Sequence, residues 1–198
     1  MSCGRLANIL SAILACWLTT TVDGKPPAVS GCMCIEDSVR KTPCGASRTT
    51  SPEEDKARRE IQERIDLTIE ADKAKNVLAA TRFNTPDFHV KNLDGSIETL
   101  DEVKVGIQAG YDRIQKVSDR THIAIDCLII AGDEATVFIN QHFVRTVLPG
   151  NDPRPHELIT NITHREIWVR TDGGWMRRYI EELERGPSFV DGTLRPGK

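Results

Sequence analysis

Four long runs of β-branched and aromatic residues occupy the second half of this 198-residue chain. They cover residues 122–130, 135–148, 157–170 and 175–183. Gly-Asp at 132–133 and Asp-Gly-Gly at 172–174 stand at two junctions, where such residues are typical of tight hairpin turns. Residues 151–155, with two prolines, form a looser turn between the middle pair. The pattern predicts consecutive antiparallel strands, and no glycine-rich phosphate loop accompanies them.

Helical signals precede these strands. Ser51 followed by Pro52 and Glu54 is typical of a capped helix start, with a capping box and a proline in the first turn. Apolar or small side chains then recur at three- and four-residue spacing, which predicts an amphipathic helix to about Asp72. The stripe consists of Ala57, Ile61, Ile65, Thr68 and Ile69. A shorter helix is predicted around residues 76–83, ending before Pro86.

A second capped helix follows a short strand. Residues 87–93 are predicted to be extended, and Asp94-Gly95 indicates a tight turn. Thr99 and Glu102 have the spacing of another capping box. The helix that they open carries one apolar stripe, which consists of Val103, Ile107, Tyr111 and Ile114. Helices followed by a meander predict an α+β domain rather than a doubly wound sheet.

The first 24 residues are typical of a secretory signal. Arg5 is the single charge before Asp23, and residues 6–18 are mostly apolar. Cleavage after Gly24 fits this pattern. A lipobox ending at Cys16 is the alternative, and only lipidation of that cysteine would attach the protein to a membrane. The expected location is therefore outside the cytoplasm.

Residues 25–51 have the composition of a linker, rich in proline, glycine, serine and threonine. In an oxidising compartment Cys44 could pair with Cys32 or Cys34. A zinc site is the alternative, but the Cys-x-Cys spacing and the lack of a linker histidine do not favour it. Cys127 lies in an apolar run and is expected to be a buried free thiol.

Composition narrows the function classes. The chain has 26 basic and 29 acidic side chains and a formal net charge of −3, so no long-range attraction to nucleic acid is expected. Motifs of serine hydrolases and of zinc proteases with two helical histidines do not occur. No cofactor or resident metal is predicted.

Polar side chains interrupt the strands that otherwise look buried. They are candidate acid, base or ligand-binding groups if the curved sheet encloses a cavity. The same residues would also be expected if one face of the sheet were exposed to solvent. The candidates are His142, His164, Glu166 and Tyr179.

The order of these elements resembles the SnoaL-like superfamily, which has the nuclear-transport-factor-like fold. The resemblance covers about residues 52–185 and leaves 186–198 as an irregular tail. Its motifs, besides the two capped helices, are Thr85-Pro86-Asp87-Phe88, Asp94-Gly95, Gly132-Asp133-Glu134-Ala135 and Trp168-Val169-Arg170-Thr171-Asp172-Gly173-Gly174-Trp175.

The resemblance implies a cone, in which a strongly curved antiparallel sheet wraps around N-terminal helices and encloses a pocket. The superfamily includes polyketide cyclases, ketosteroid isomerases and dehydratases, as well as members of no known activity, so the fold alone does not deliver a function. Asp126 and Tyr111 are of the right type for the isomerase site, but no motif match carries those roles to them. Trp168 and Trp175 match the closing pattern and are expected to pack in the core.

Three functions remain open. The first is an exported domain that binds a small apolar ligand without chemistry. The second is a cofactor-independent isomerase, cyclase or dehydratase that moves protons on an apolar cyclic substrate. The third is a structural module that forms a homodimer through its sheet. A carboxylate or histidine deep in the cavity with a donor opposite would favour the enzyme, and a filled cavity would favour the structural role.

Overall fold

The computed structural model describes residues 50–148 and 152–195. The expected signal sequence, nearly all of the linker, and the pairing of Cys32, Cys34 and Cys44 lie outside the described residues. The described residues form three helices and nine strands. The helices are α1 (Pro52–Lys73), α2 (Val77–Thr81) and α3 (Leu100–Tyr111). The strands are β1 (Asn84–Lys91), β2 (Ile97–Thr99), β3 (Ile114–Val117), β4 (His122–Ala131), β5 (Glu134–Val147), β6 (His156–Thr171), β7 (Gly174–Arg185), β8 (Ser188–Val190) and β9 (Thr193–Arg195).

Both predicted capped helices are present. The backbone N–H of Glu54 donates to Ser51 Oγ over 3.2 Å, and the backbone N–H of Ser51 donates to Glu54 Oε2 over 2.9 Å. At α3 the backbone N–H of Thr99 donates to Glu102 Oε2 over 2.8 Å. These bonds satisfy amides that a helix start leaves without partners, which explains why α1 and α3 begin where the sequence predicts.

One mixed sheet contains all nine strands, with the main order β2-β1-β7-β6-β5-β3. The β5–β6 ladder is antiparallel and runs from Glu134 opposite Val169 to Val147 opposite His156. β4 extends the sheet beside β5, and β8 pairs with the start of β6. The pairing of β1 with β7 is parallel, in a sheet that is otherwise antiparallel.

The sheet curves over the helices and does not close into a barrel. Register shifts interrupt the β4–β5 and β6–β7 ladders, and such bulges bend a strand. On the concave side, Ile61 and Ile65 of α1 pack with Val137 and Ile139 of β5 and with Trp168. A second buried cluster joins α3 to β1, β3 and the far end of β5. The predicted α+β fold with a curved sheet around N-terminal helices is confirmed.

Three local expectations were wrong. Ile114 begins β3 instead of continuing the stripe of α3, which ends at Tyr111. The C-terminal segment is more regular than expected, because β8 and β9 form a short hairpin against β6. Cys127 is fully buried as expected but belongs to a disulfide rather than being a free thiol. Its partner lies outside the described residues.

Across residues 50–148 and 152–195, no helix is long and apolar enough to cross a membrane.

Candidate active site

A cavity of about 150 Å³ opens between the helices and the concave side of the sheet. Its walls come from α1, α2, α3 and from strands β1, β3, β4, β5, β6 and β7. Most wall residues are apolar, and a smaller set is polar or charged. The polar set consists of Thr68, Asp72, Thr81, Asn84, Tyr111, Gln141, His164, Arg177 and Glu182.

His164 reaches the cavity from the middle of β6. Strand alternation places it on the same face as Ile162, which also lines the cavity. Only 7% of its side chain is exposed. Its Nδ1 lies 3.5 Å from Glu166 Oε1, and its buried Nε2 has no hydrogen-bond partner among the described residues. One ring nitrogen therefore lies near a carboxylate, and the other makes no hydrogen bond to a described residue.

Glu166 is held by two donors behind His164. The indole N–H of Trp168 donates to Glu166 Oε2 over 2.6 Å, and Arg177 Nη1 donates to Oε1 over 2.9 Å. Arg177 Nε in turn donates to Asn84 Oδ1 over 3.0 Å. A buried carboxylate that accepts a charged donor on one oxygen and a neutral donor on the other is fixed in one position. Glu166 is thus built to orient its neighbour.

The imidazole of His164 is held in its neutral form. Burial is the main cause that lowers its pKa, and the nearby Arg177 charge lowers it further, against the opposing charges of Glu166 and Glu182. A carboxylate oxygen can only accept a hydrogen bond, so the favourable tautomer carries the proton on Nδ1. That tautomer leaves a lone pair on Nε2, which is what a general base requires.

Asp72 and Tyr111 form a second polar pair on the helical wall. Asp72 lies near the end of α1 and Tyr111 at the end of α3, and the phenol donates to Asp72 Oδ1 over 2.5 Å. Burial raises the pKa of Asp72 from 3.8 to about 6, although Tyr111 and Arg177 oppose the rise. Burial also raises the pKa of the Tyr111 phenol, and the Asp72 charge adds to the effect. Both groups therefore keep their protons to a higher pH than they would in water.

The cavity places groups with opposite tendencies on facing walls. On the sheet side burial lowers the pKa of His164, and on the helical side burial raises the pKa of Asp72 to about 6. In enzymes that catalyse proton transfer, two titratable groups whose pKa values are shifted in opposite directions are the general base and the general acid. The arrangement can remove a proton at one point of a bound molecule and stabilise charge at another.

The four residues predicted as candidates do not share one site. His164 lines the cavity and Glu166 supports it from behind. His142 on β5 is not a cavity-lining residue; its Nδ1 is 2.8 Å from Asn161 Oδ1 in a separate surface depression. Tyr179 on β7 is half-buried beside His89, with the ring centroids 4.8 Å apart, and also does not line the cavity.

Sequence reasoning missed Asp72 and Arg177 and left Tyr111 without a role. A signal existed for Asp72, because it follows Thr68 by four residues and Ile69 by three, on the buried stripe of α1. Nothing local distinguishes Arg177 from Arg178 beside it. Asp126, which the sequence analysis noted as the right residue type for the isomerase site, is exposed on β4.

No group of three or more potential metal ligands converges among residues 50–148 and 152–195.

The fold is shared with solved structures. A scytalone dehydratase-like protein from Novosphingobium aromaticivorans is 16% identical, with a TM-score of 0.57 over 66% of this chain and 85% of its own. A protein from Kribbella flavida is 15% identical, with a TM-score of 0.57 over 68% of this chain and 94% of its own. A nuclear transport factor 2-like superfamily protein from Salmonella enterica is 12% identical, with a TM-score of 0.52 over 67% of this chain and 93% of its own.

No protein-family model matches the sequence. No curated protein matches it either. The structural likenesses, all at low sequence identity, establish that residues of this chain adopt the nuclear-transport-factor-like fold, as the SnoaL-like resemblance implied.

Proposed function

We propose that the cavity is the active site of a cofactor-independent enzyme that moves protons on a small molecule carrying a carbonyl group. The observation that supports this most is that His164, whose buried Nε2 has no hydrogen-bond partner among the described residues, lines a cavity whose opposite wall carries the Asp72–Tyr111 pair. A carboxylate and a histidine in the cavity, with a donor opposite, are the features that separate an enzyme from a passive binder.

His164 acts as the general base. Its Nε2 removes a proton from the carbon next to the substrate carbonyl. The C–H electron pair forms a C=C bond, and the π pair of the carbonyl moves onto the oxygen to give the enolate. Glu166 keeps the ring oriented and stabilises the imidazolium that results, as a buried carboxylate behind a histidine does. Return of the proton from the imidazolium to a different carbon gives isomerisation. If the carbon beyond the enolate carries a hydroxyl, the imidazolium proton can go to that hydroxyl instead, so that it leaves as water while the enolate collapses to the unsaturated carbonyl compound.

Asp72 and Tyr111 stabilise the developing oxyanion. When Asp72 carries a proton, its O–H can donate to the phenol oxygen of Tyr111. The phenol O–H then no longer donates to Asp72 and can donate to the substrate oxygen instead. This state requires protonated Asp72, whose pKa burial raises to about 6. Base catalysis requires neutral His164, whose pKa burial lowers below its ordinary 6.5. Activity should therefore fall as the pH rises above about 6.

A matched pair of histidine variants tests the proposal. The full chain is incubated with cyclohexanone in deuterated buffer near pH 6, and the exchange of the protons next to the carbonyl is followed by NMR. We expect His164→Gln to slow catalysed exchange by about 100-fold or more, the range of a lost general base. His142→Gln, on the neighbouring strand and outside the cavity, should leave the rate unchanged.

A second matched pair tests the acid side. Tyr111→Phe should slow exchange by about ten-fold or more because it removes the oxyanion donor, while Tyr179→Phe should not. The proposal fails if the protein gives no catalysed exchange, or if each cavity variant behaves like its control.

The two other functions have less support. The cavity is not filled by side chains, which disfavours a purely structural role. Its walls carry polar groups with shifted pKa values, which disfavours simple binding of an apolar ligand.

We also propose that the chain is exported. The support is the leader-like composition of residues 1–24 and the disulfide at Cys127, because disulfides persist in oxidising compartments. Expression of the full chain in a secreting bacterium, followed by intact mass measurement, tests this. Loss of residues 1–24 is expected; a lipid-modified product beginning at Cys16 would assign the alternative processing, and an uncut product in the cytoplasm would contradict export.

A further inference from the structure

The size of the cavity limits what it can hold. At about 150 Å³ it matches a buried apolar cavity that accepts one benzene molecule. A fused two-ring compound would have to displace wall residues or extend through the mouth. A single six-membered ring is therefore the largest flat core that the cavity accepts without rearrangement.

The walls are suited to such a ring. Aromatic and branched side chains cover most of the surface, and they belong to the second buried cluster of the fold. Burial of a ring against them is favoured by roughly 25 cal/mol for each Å² removed from water. The principal apolar wall residues are Phe88, Val90, Val103, Ile107, Phe143 and Ile180.

The charges around the cavity disfavour an anion. Arg177 is the single cationic side chain among the described lining residues, and Glu166 and Asn84 already occupy its Nη1 and Nε. Two carboxylates, Asp72 and Glu182, also line the cavity. A bound carboxylate would be repelled by these two carboxylates and would have no available cationic side chain in the cavity to pair with. Burial of an unpaired charge is costly.

Glu182 pairs with Arg185, and this pair offers a test of whether negative charge keeps anions out of the cavity. It lies on β7, with only 3% of its side chain exposed, and Arg185 donates to it over 2.8 and 3.1 Å. Removal of the Glu182 charge would take one negative charge from the cavity wall and leave the guanidinium of Arg185, which does not itself line the cavity, without this carboxylate. That variant should accept an anion that the native cavity rejects.

Polar groups at two points of the cavity determine which substituents a bound ring should carry. On the sheet side, Nε2 of His164 has no hydrogen-bond partner within the described part of the chain, and the Tyr111–Asp72 pair lies on the helical side. A ligand oxygen beside Tyr111 and a hydrogen-bond donor or acidic C–H beside His164 would satisfy both. This inference rests on the proposed function, since it names the substrate class of the same site.

We propose that the cavity takes uncharged, single-ring compounds bearing a carbonyl or hydroxyl oxygen, and that it rejects both carboxylates and fused bicyclic analogues. Binding of four probes to the full chain tests this: phenol and 2-naphthol differ in ring number, and benzamide and benzoate differ in charge. Affinities are measured near pH 7 by ligand-observed NMR, with displacement of phenol as the check that the probes share one site.

We expect phenol to bind at least ten-fold more tightly than 2-naphthol, and benzamide at least ten-fold more tightly than benzoate. Glu182→Gln should reduce the difference in binding affinity between benzamide and benzoate. Glu181→Gln should not, because Glu181 points to the other face of β7 and pairs with Lys91.

Equal or tighter binding of 2-naphthol would overturn the size limit, and equal binding of benzoate to the native protein would overturn the charge limit. If no probe binds, the assignment fails as a whole. The exchange assay remains separate: selective phenol binding without catalysed exchange would preserve the ligand class and reject the proton-transfer function.

Discussion

At the scale of single residues, burial controls which groups in the cavity can hold a proton. Asp72 would be ionised in water, but desolvation on the helical wall raises its pKa to about 6 despite the phenol that donates to it and the charge of Arg177. The folded chain therefore binds a proton that the unfolded chain releases between pH about 4 and about 6. The free energy of unfolding must decrease as the pH rises through this interval.

The first prediction follows from that sign. Asp72→Asn keeps an acceptor for Tyr111 and has no proton to lose, so it should be more stable than the native chain near pH 7 by on the order of 1–3 kcal/mol. The difference should shrink toward zero below pH about 4, where the native aspartic acid is also neutral. Chemical denaturation at a series of pH values measures both quantities.

Asp126→Asn is the control, because that side chain is exposed on β4 and should change stability little. A native-minus-Asp72→Asn difference that does not vary with pH would contradict the account of Asp72.

Individual site residues were only partly predictable from the sequence. His164 and Glu166 stand out as polar residues inside a long strand of β-branched and aromatic residues. Alternation could not show which face of β6 points inward, since both faces contain apolar residues. The depth of Asp72 depends on α3 and the sheet closing over the end of α1, and no local pattern contains that information.

At the scale of elements, Arg64 of α1 contacts the turn of the β6–β7 hairpin, in addition to the ion pair between Arg170 and Glu53. Arg64 Nη2 donates to the carbonyl oxygen of Gly173 over 2.7 Å. Gly174 beside it has φ of +92°, and a Cβ at that position would collide with the Arg64 guanidinium. The turn glycine therefore provides both a left-handed backbone and room for a helix side chain.

A pair of glycine variants separates these two requirements. Gly132→Ala, in the β4–β5 turn, has φ of +63° and open space around the added methyl group, so it should cost about 1 kcal/mol from backbone strain alone. Gly174→Ala adds the collision with Arg64 and should cost about 1 kcal/mol more. Thermal unfolding of both variants measures the difference.

Equal losses would mean that Arg64 moves aside freely and does not fix the hairpin. Combination of Gly174→Ala with Arg64→Ala offers a check, since the extra cost should disappear once the guanidinium is gone.

Elements with local signals were predictable, and those fixed by distant contacts were not. The caps at Ser51 and Thr99 and the glycine turns define α1, α3 and the long hairpins within a few residues. β3 was missed because Ile114 continues the spacing of the α3 stripe, while its structure is set by pairing with β5. The β8–β9 hairpin likewise depends on β6, whose Ile159 pairs with Phe189 of β8 across a long stretch of chain.

At the scale of the whole molecule, two buried clusters lie under the curved sheet. One cluster joins α1 to β4, β5 and β6, and the other joins α3 to β1, β3 and β5. The apolar wall of the cavity belongs mainly to the second cluster, and polar side chains from the helices and the sheet complete the lining. The SnoaL-like resemblance predicted a cone with a pocket, but the identity of the groups inside depends on register and curvature over the full sheet.

The state of His164 tests this account most directly. We would follow its ring nitrogens by ¹⁵N–¹H NMR from pH about 4 to about 8, assigned with His164→Gln. The account predicts a pKa below 6.5, because burial lowers it, and a neutral form protonated on Nδ1 with a free Nε2. A phenol-induced change at Nε2 should accompany binding. A pKa above 6.5, or a proton on Nε2 in the neutral form, would contradict a base poised in the cavity.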